Sequence, residues 1–333
     1  MITTRTINLK SRPKGKPELA DFDFSTSEIT ELQEGEVLLS SKYVSVDPYL
    51  RGRMSDTPSY IPPFELGKPL VSGVIAEVLE TKAKNFNKGD FVSGMLQWKE
   101  KQVAKADGLV KVDPAAAPLS AYLGVLGMTG LTAYMGLMEI GKPKAGETLV
   151  VSGAAGAVGS IAGQIGKILG LRVVGIAGTD EKVEMLKSEF GFDEGINYKT
   201  TKNMTEALAK ACPNGIDVYF DNVGGEISEA VLFNINKFSR TINCGSISIY
   251  NNTELPKSIS VQPFLVRKSA SMQGFIVFDY ADKHPEGIKQ LAAWLQQGKL
   301  HNTETIKEGF DAIPQAFLDL FEGKNTGKMV VKV

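Results

Sequence analysis

Three small residues, Ala154, Gly156 and Gly159, lie between the apolar run Thr148–Ser152 and an apolar stripe at 158, 161, 162, 165, 168 and 169 that Gly170 ends. Small residues at that spacing, between a strand and a helix, permit a tight turn, close backbone approach to a pyrophosphate and close packing of helix on strand. Alanine holds the first slot, where the fingerprint has glycine. The helix should aim its first amides and the positive end of its dipole at an anion. Ala154, Gly156, Ala157, Val158 and Gly159 are therefore candidate phosphate-side residues for a dinucleotide. A glycine-rich βα turn with no ligand is the alternative that the motif alone leaves open.

Treatment of the adenosine ribose is the next chemical signal. The second strand, Arg172–Ala177, runs into Gly178–Thr179, so the slot where an NAD site places an acid is small and neutral. Asp180 is the nearest acid, but Thr179–Asp180 opens a helix and reads as a cap. Lys182 falls in that helix's first turn, where a cation opposes the dipole unless an anion attracts it. The spacing thus predicts NADPH, with its 2′-phosphate on Lys182; a solvated surface lysine is the alternative. Asp221–Gly225 and Cys244–Tyr250 each follow an apolar run, and ligands of doubly wound sheets bind beyond the carboxyl ends of strands. Both segments should face the cofactor, unless they are ordinary βα turns. Cys244 has no partner cysteine nearby and reads as a packed residue rather than a redox thiol.

These residues need a frame to position them. A chain of 333 residues exceeds the usual single core, which predicts two domains. Residues 1–120 look β-rich, with strands at Glu36–Ser45 and Leu70–Leu79 and turns at Pro62–Pro63, Pro69 and Lys88–Asp90. Residues 121–300 alternate strands with helices. The strands are Thr148–Ser152, Arg172–Ala177, Asp217–Asp221, Arg240–Cys244 and Met272–Val277. The helices are Asp180–Phe190, Glu226–Ile235 and Glu286–Gln297. This order predicts an α/β fold with a Rossmann doubly wound parallel sheet. Residues 301–333, with a helix at Ile313–Phe321 and the β-run Gly327–Val333, should rejoin the first domain.

Composition narrows the chemistry. Net charge is −1, without the basic face of a nucleic-acid binder or a polybasic membrane segment. The polar N-terminus lacks a signal-peptide core and no apolar run reaches spanning length, so a cytoplasmic protein is expected. Cys212 and Cys244 are the cysteines and His284 and His301 the histidines, which rules out a disulfide framework and a multi-cysteine zinc site. Both histidines lie in polar stretches and read as surface residues, so histidine acid–base catalysis is not expected.

The chain resembles the zinc-independent branch of the medium-chain dehydrogenase/reductases, most closely the prostaglandin reductase, alkenal double-bond reductase and curcumin reductase group. The marks span nearly the whole chain: VDPYLRGRM (46–54), GMTGLTAY (127–134), AAGAVGS (154–160), AGTDEKV (177–183), INYK (196–199), FDNVGG (220–225) and CGSISIYN (244–251). Thr129 departs from the pattern, since many animal members have proline there. Zinc-dependent relatives have a cysteine at the place of Asp47 and Gly-His-Glu at the place of Gly67–Lys68–Pro69, so no catalytic metal is expected here. The resemblance implies a GroES-like N-terminal domain beside the Rossmann domain. It also implies that Lys182 and Tyr198 meet the adenosine-side phosphate, and that Asn222, Cys244, Gly245, Ser246, Ile247 and Tyr250 line the ribose and nicotinamide. Phe275, Ile276 and Val277 should offer backbone to the carboxamide, and Asn325 should close over the cofactor. A homodimer joined edge to edge near Met272–Val277 is a further implication.

The resemblance implies NADPH-dependent reduction of the C=C bond of α,β-unsaturated ketones or aldehydes, small-molecule substrates. Hydride addition at the β-carbon develops charge on the carbonyl oxygen, which needs a donor. A phenol can donate without ionising, so Tyr250 is the candidate catalytic residue and Tyr49, in the DPY motif, the candidate substrate-binding one. Packing alone is the alternative for each, and the cofactor's 2′-hydroxyl or a water could donate instead. Loops 56–64 and 252–261 should shape the pocket. A quinone reductase of the same superfamily, or an NADPH-binding structural or stress protein, are the alternatives for the whole chain.

Overall fold

The computed structural model describes residues 2–29, 31–254 and 256–333. Leu255, inside the expected pocket loop 252–261, lies outside them. The chain divides into two compact units: Met1–Leu123 with Glu304–Asn325 and Met329–Val333, and Gly124–Thr303 with Thr326–Lys328.

The first unit opens with an antiparallel pair, β1 (Thr3–Leu9) and β2 (Phe22–Glu28). β3 (Glu36–Ser45) follows, and then one helical turn, α1 (Leu50–Arg53). β4 (Val71–Thr81), β5 (Phe91–Gln97), β6 (Lys101–Lys105) and β7 (Val110–Val112) complete its N-terminal part. The β3 strand holds the bounds expected from its apolar run.

The second unit begins with α2 (Met128–Met135), which passes into a π-helical turn at Gly136–Gly141. β8 (Thr148–Ser152) leads into α3 (Ala157–Ile168), and β9 (Arg172–Ala177) into α4 (Asp180–Ser188). β10 (Glu194–Asn197), α5 (Met204–Ala211), β11 (Ile216–Asp221), α6 (Gly225–Leu232) and β12 (Ile235–Asn243) follow. α7 (Gln262–Lys268), β13 (Ser271–Gly274) and α8 (His284–Gln296) close the series. The six strands run parallel in the order β10-β9-β8-β11-β12-β13. This is the doubly wound order of dinucleotide-binding sheets, with its reversal between β8 and β11. Buried on both faces, β8 shows the continuous apolar run such strands need.

Two expectations required correction. The helix expected over 226–235 stops at Leu232, because Ile235 already pairs with Ile216; β12 then runs through a break at Phe238 (φ 64°) and ends at Asn243, one residue before Cys244. The strand expected over 272–277 ends at Gly274. Phe275 turns toward Phe220 and the α2 end, and Val277, 7% exposed, opens a 3₁₀ turn over Val277–Lys283.

The chain returns to the first unit with β14 (Glu304–Glu308), α9 (Ile313–Phe321) and β15 (Lys328–Lys332). The main sheet reads β14-β15-β3-β4-β5-β7, with β6 also on β3, and the pairs of β3 with β4, β6 and β15 are antiparallel. Its core gathers Leu39, Val44, Leu50, Met54, Trp98 and Phe317, all fully buried.

Candidate active site

The glycine turn works through a residue the sequence reading did not single out. Gly153, not Ala154, takes the left-handed conformation (φ 58°), which costs glycine nothing. Ala154 is fully buried and its N–H donates to Ile176 O at 3.0 Å, tying the turn to β9. Gly156 caps α3, and a Cβ on Gly159 would stand 2.3 Å from Gly153 O, so helix and turn meet at backbone distance. Ala157 and Val158 begin the helix, half-buried, where amides lack intrahelical acceptors. Gly327 N–H donates to Ala155 O at 2.8 Å, adding a C-terminal residue to this turn.

At the strand-order reversal, side chains lock β8 to β11. Ser152 Oγ donates to Asp221 Oδ1 at 2.9 Å, and that oxygen also accepts from Tyr219 OH (2.9 Å), Val223 N (3.0 Å) and Gly224 N (2.9 Å). Burial, with Asp221 close by, pushes the Tyr219 phenol well above its ordinary range. Asn222 donates from its amide to Ser152 O at 2.8 Å and from its backbone to Ser152 Oγ at 2.9 Å. The side chain expected to line the ribose therefore also braces the loop.

The next strand end is zipped to this one. Cys244 N and Gly245 N donate to Asp221 O (2.8 and 3.1 Å), Ile247 N to Asn222 O (3.3 Å) and Ser248 Oγ to Val223 O (2.6 Å). Tyr250 closes the loop on itself: its phenol oxygen accepts from Ser246 N at 3.3 Å, and burial raises its pKa. An open cavity of ≈360 Å³ lies here, lined by Asp221, Gly224, Ser228, Asn243, Cys244, Gly245 and Ser246. Burial, reinforced by Asp221, pushes the Cys244 thiol up to about 12, which makes it inert at neutral pH. Asn251 Oδ1, at the end of this loop, is buried with no hydrogen-bond partner among the described residues.

Beyond the end of β9, Thr179 Oγ1 accepts from Lys182 N at 3.3 Å and caps α4, so Asp180 is not the cap. Tyr198 donates its N–H to Ala177 O at 3.1 Å, and its ring stands 3.1–3.4 Å from where a Gly178 Cβ would be. Lys182 is half-buried; burial and then the charge of Lys199 lower its pKa. Asn197 Nδ2 donates to Asp180 Oδ1 at 2.7 Å.

Near Val277, two carbonyls already accept: Ile276 O from Asp279 N (3.0 Å) and Val277 O from His284 Nε2 (2.9 Å). His284, half-buried, thus serves as a brace for the 277–283 turn. Phe275 stacks edge-on with Tyr280 at 6.4 Å.

Tyr49 and Asn325 belong to the first unit. Tyr49 precedes α1, half-buried against the core, and burial followed by the Asp47 charge raises its pKa. Asp47 accepts from Ser45 Oγ; Ser45 O accepts from Ser72 Oγ (2.7 Å), which in turn accepts from Trp98 Nε1 (2.8 Å). Asn325 lies half-buried between α9 and β15. Among the described residues no group of three or more His, Cys, Asp or Glu could hold a metal ion.

The residues of the second unit fit a phosphorylated dinucleotide. They offer a glycine surface under an aromatic ring, a lysine held beside a like charge, a helix start beyond β8, and an orphaned buried oxygen at Asn251.

Residues 5–112 match the family described as the N-terminal domain of oxidoreductase, and residues 157–297 the one described as zinc-binding dehydrogenase. The chain is 43% identical to NADPH-dependent curcumin reductase of Escherichia coli, over 98% of this chain and 95% of that one. It is 40% identical to 2-alkenal reductase (NADP(+)-dependent) of Nicotiana tabacum, over 100% of this chain and 98% of that one. The crystal structure of CurA from Vibrio vulnificus in complex with NADPH superposes with a TM-score of 0.94 at 44% identity, covering 99% of each chain.

Proposed function

The chain belongs to the zinc-independent branch of the medium-chain dehydrogenase/reductase family, and on that premise we propose that it reduces the C=C bond of α,β-unsaturated ketones or aldehydes with NADPH. NADPH supplies the hydride when bound. Lys182 and Tyr198 hold its 2′-phosphate end over Gly178. Ala154, Gly156, Ala157, Val158 and Gly159 receive the pyrophosphate at the α3 start. Asn222, the loop Cys244–Tyr250 and the backbone of Phe275–Val277 hold the ribose and nicotinamide.

The observation that carries the reaction is the Tyr250 phenol. Its oxygen already accepts Ser246 N–H, which fixes the ring and leaves the O–H proton to donate elsewhere. Reduction at the β-carbon places negative charge on the substrate's carbonyl oxygen, and a phenol donor there stabilises the enolate as it forms. A raised pKa keeps that phenol protonated at neutral pH. Tyr49, held near Asp47 and likewise neutral, is the substrate-side residue.

We further infer a cytoplasmic homodimer. Cys212 and Cys244 are both free thiols, as in reducing compartments, and no helix among the described residues is long and apolar enough to cross a membrane. β13 ends the sheet order, an edge suited to a second copy. Light scattering should return twice the 35.9 kDa chain mass; a monomer would reject the dimer.

The deciding assay follows NADPH oxidation with a 2-alkenal, an enone, a quinone and a saturated aldehyde, with NADH in parallel. Turnover of the alkenal or enone with NADPH supports the reading. Turnover of the quinone alone, or cofactor binding without turnover, overturns it.

A further inference from the structure

We propose that Asn197 is a specificity-determining residue, favouring NADPH over NADH by holding the Asp180 carboxylate in a hydrogen bond to its side-chain amide. The inference rests on the NADPH reading above and adds to it a residue outside the phosphate contacts.

An acid just beyond the second strand of a dinucleotide sheet is the group that accepts hydrogen bonds from a ribose 2′-hydroxyl, and the same charge repels a 2′-phosphate. In this chain the slot itself is Gly178, and an acid stands two residues beyond it. Asp180 opens α4 three residues after β9 ends at Ala177, and Lys182 lies in the same turn. Capping does not occupy Asp180, since Thr179 Oγ1 takes the Lys182 N–H. Its carboxylate instead accepts from Asn197 Nδ2 at 2.7 Å, a charge-assisted bond.

The orientation of Asn197 is fixed independently. Its Oδ1 accepts from Lys199 N at 3.0 Å, so the carboxylate faces the amide nitrogen and a flipped amide would lose both bonds. Asn197 ends β10, whose neighbour is β9, and the register pairs it with Ala177. Tyr198 and Lys199 come directly after it. Three consecutive residues thus restrain the acid, wall Gly178 with an aromatic ring and place a second cation near Lys182. Each act favours a phosphate where an NAD site favours a hydroxyl.

The test measures binding of 2′,5′-ADP and 5′-AMP to the full chain by calorimetry, in wild type, Asn197→Ala, Asp180→Asn and the double variant. Wild type should prefer 2′,5′-ADP. Asn197→Ala should weaken 2′,5′-ADP about tenfold, with 5′-AMP unchanged. Asp180→Asn in the Asn197→Ala background should restore most of that loss, because no freed charge remains. An Asn197→Ala protein that keeps wild-type preference overturns the proposal. So does an equal loss for both ligands, or a loss that Asp180→Asn does not repair, since each marks Asn197 as a turn-former only. A wild type indifferent to the 2′-phosphate fails differently: it removes the NADPH reading itself.

Discussion

Ser152 and Asp221 end neighbouring strands of the parallel sheet, and the Ser152 hydroxyl donates to the Asp221 carboxylate at 2.9 Å with both side chains buried. The bond closes the place where strand order reverses, which is where a doubly wound sheet opens its ligand crevice. Everything beyond it hangs from this pair: Asn222 bonds to Ser152, and Cys244 and Gly245 bond to Asp221 O.

Asp221→Ala removes an acceptor that serves two hydroxyls and two backbone amides at once. Each buried donor left alone costs about 1–3 kcal/mol, so the variant should lose at least about 3 kcal/mol. Denaturant unfolding measures it. A loss under about 1 kcal/mol would show that the loop satisfies its donors another way.

Tyr250→Phe keeps the ring and deletes the donor. Removing one preorganised donor to a developing oxyanion lowers turnover about 10²-fold. The expected result is that loss in kcat/KM for an enone, with NADPH binding within about threefold of wild type. Unchanged turnover takes Tyr250 out of the reaction.

Lys182 carries a pH signature. Burial and Lys199 lower its pKa, so its charge is lost at lower pH than an ordinary lysine would lose it. A bound 2′-phosphate favours the charged form and raises that pKa, so binding takes up a proton as pH approaches the lowered value. Affinity for 2′,5′-ADP should fall as pH rises through it, and Lys182→Met should flatten the slope while weakening binding about 10- to 100-fold at neutral pH. A Lys182→Met protein with the wild-type pH slope contradicts the assignment.

Gly159→Ala sets two effects against each other. In a helix interior alanine is favoured over glycine by about 1 kcal/mol. The new Cβ, however, would lie 2.3 Å from Gly153 O and 2.9 Å from Ala154 Cα, both backbone atoms that cannot rotate aside. Overpacking at about 1–3 kcal/mol should win, and the shifted turn should weaken dinucleotide binding as well. Thermal melts with and without NADPH read both; a stabilised variant with intact binding would mean that α3 can move off the turn.

Much of this was legible in the residues because it is local. β8, β9 and α9 have the bounds that apolar runs and periodicity predict, since burial on both faces of a strand, or one face of a helix, writes itself into consecutive positions. The small residues of the turn and the neutral slot at Gly178 are likewise sequence-adjacent facts. β10 is less legible: it is four residues long with one buried position, Ile196, too short for a period to show.

What the amino-acid sequence determined by itself was therefore the alternation of strands and helices, the small-residue turn and the cation at Lys182. The tertiary structure alone decided which polar atoms meet: Ser152 with Asp221 across 69 positions, Asn197 with Asp180 across 17, and His284 with Val277 across a turn. It also placed the left-handed residue at Gly153 and ended β13 at Gly274. The reason is physical. Propensity and periodicity act over one element, whereas a hydrogen bond between strand ends depends on the order in which strands pair, and that order exists only once the sheet has closed.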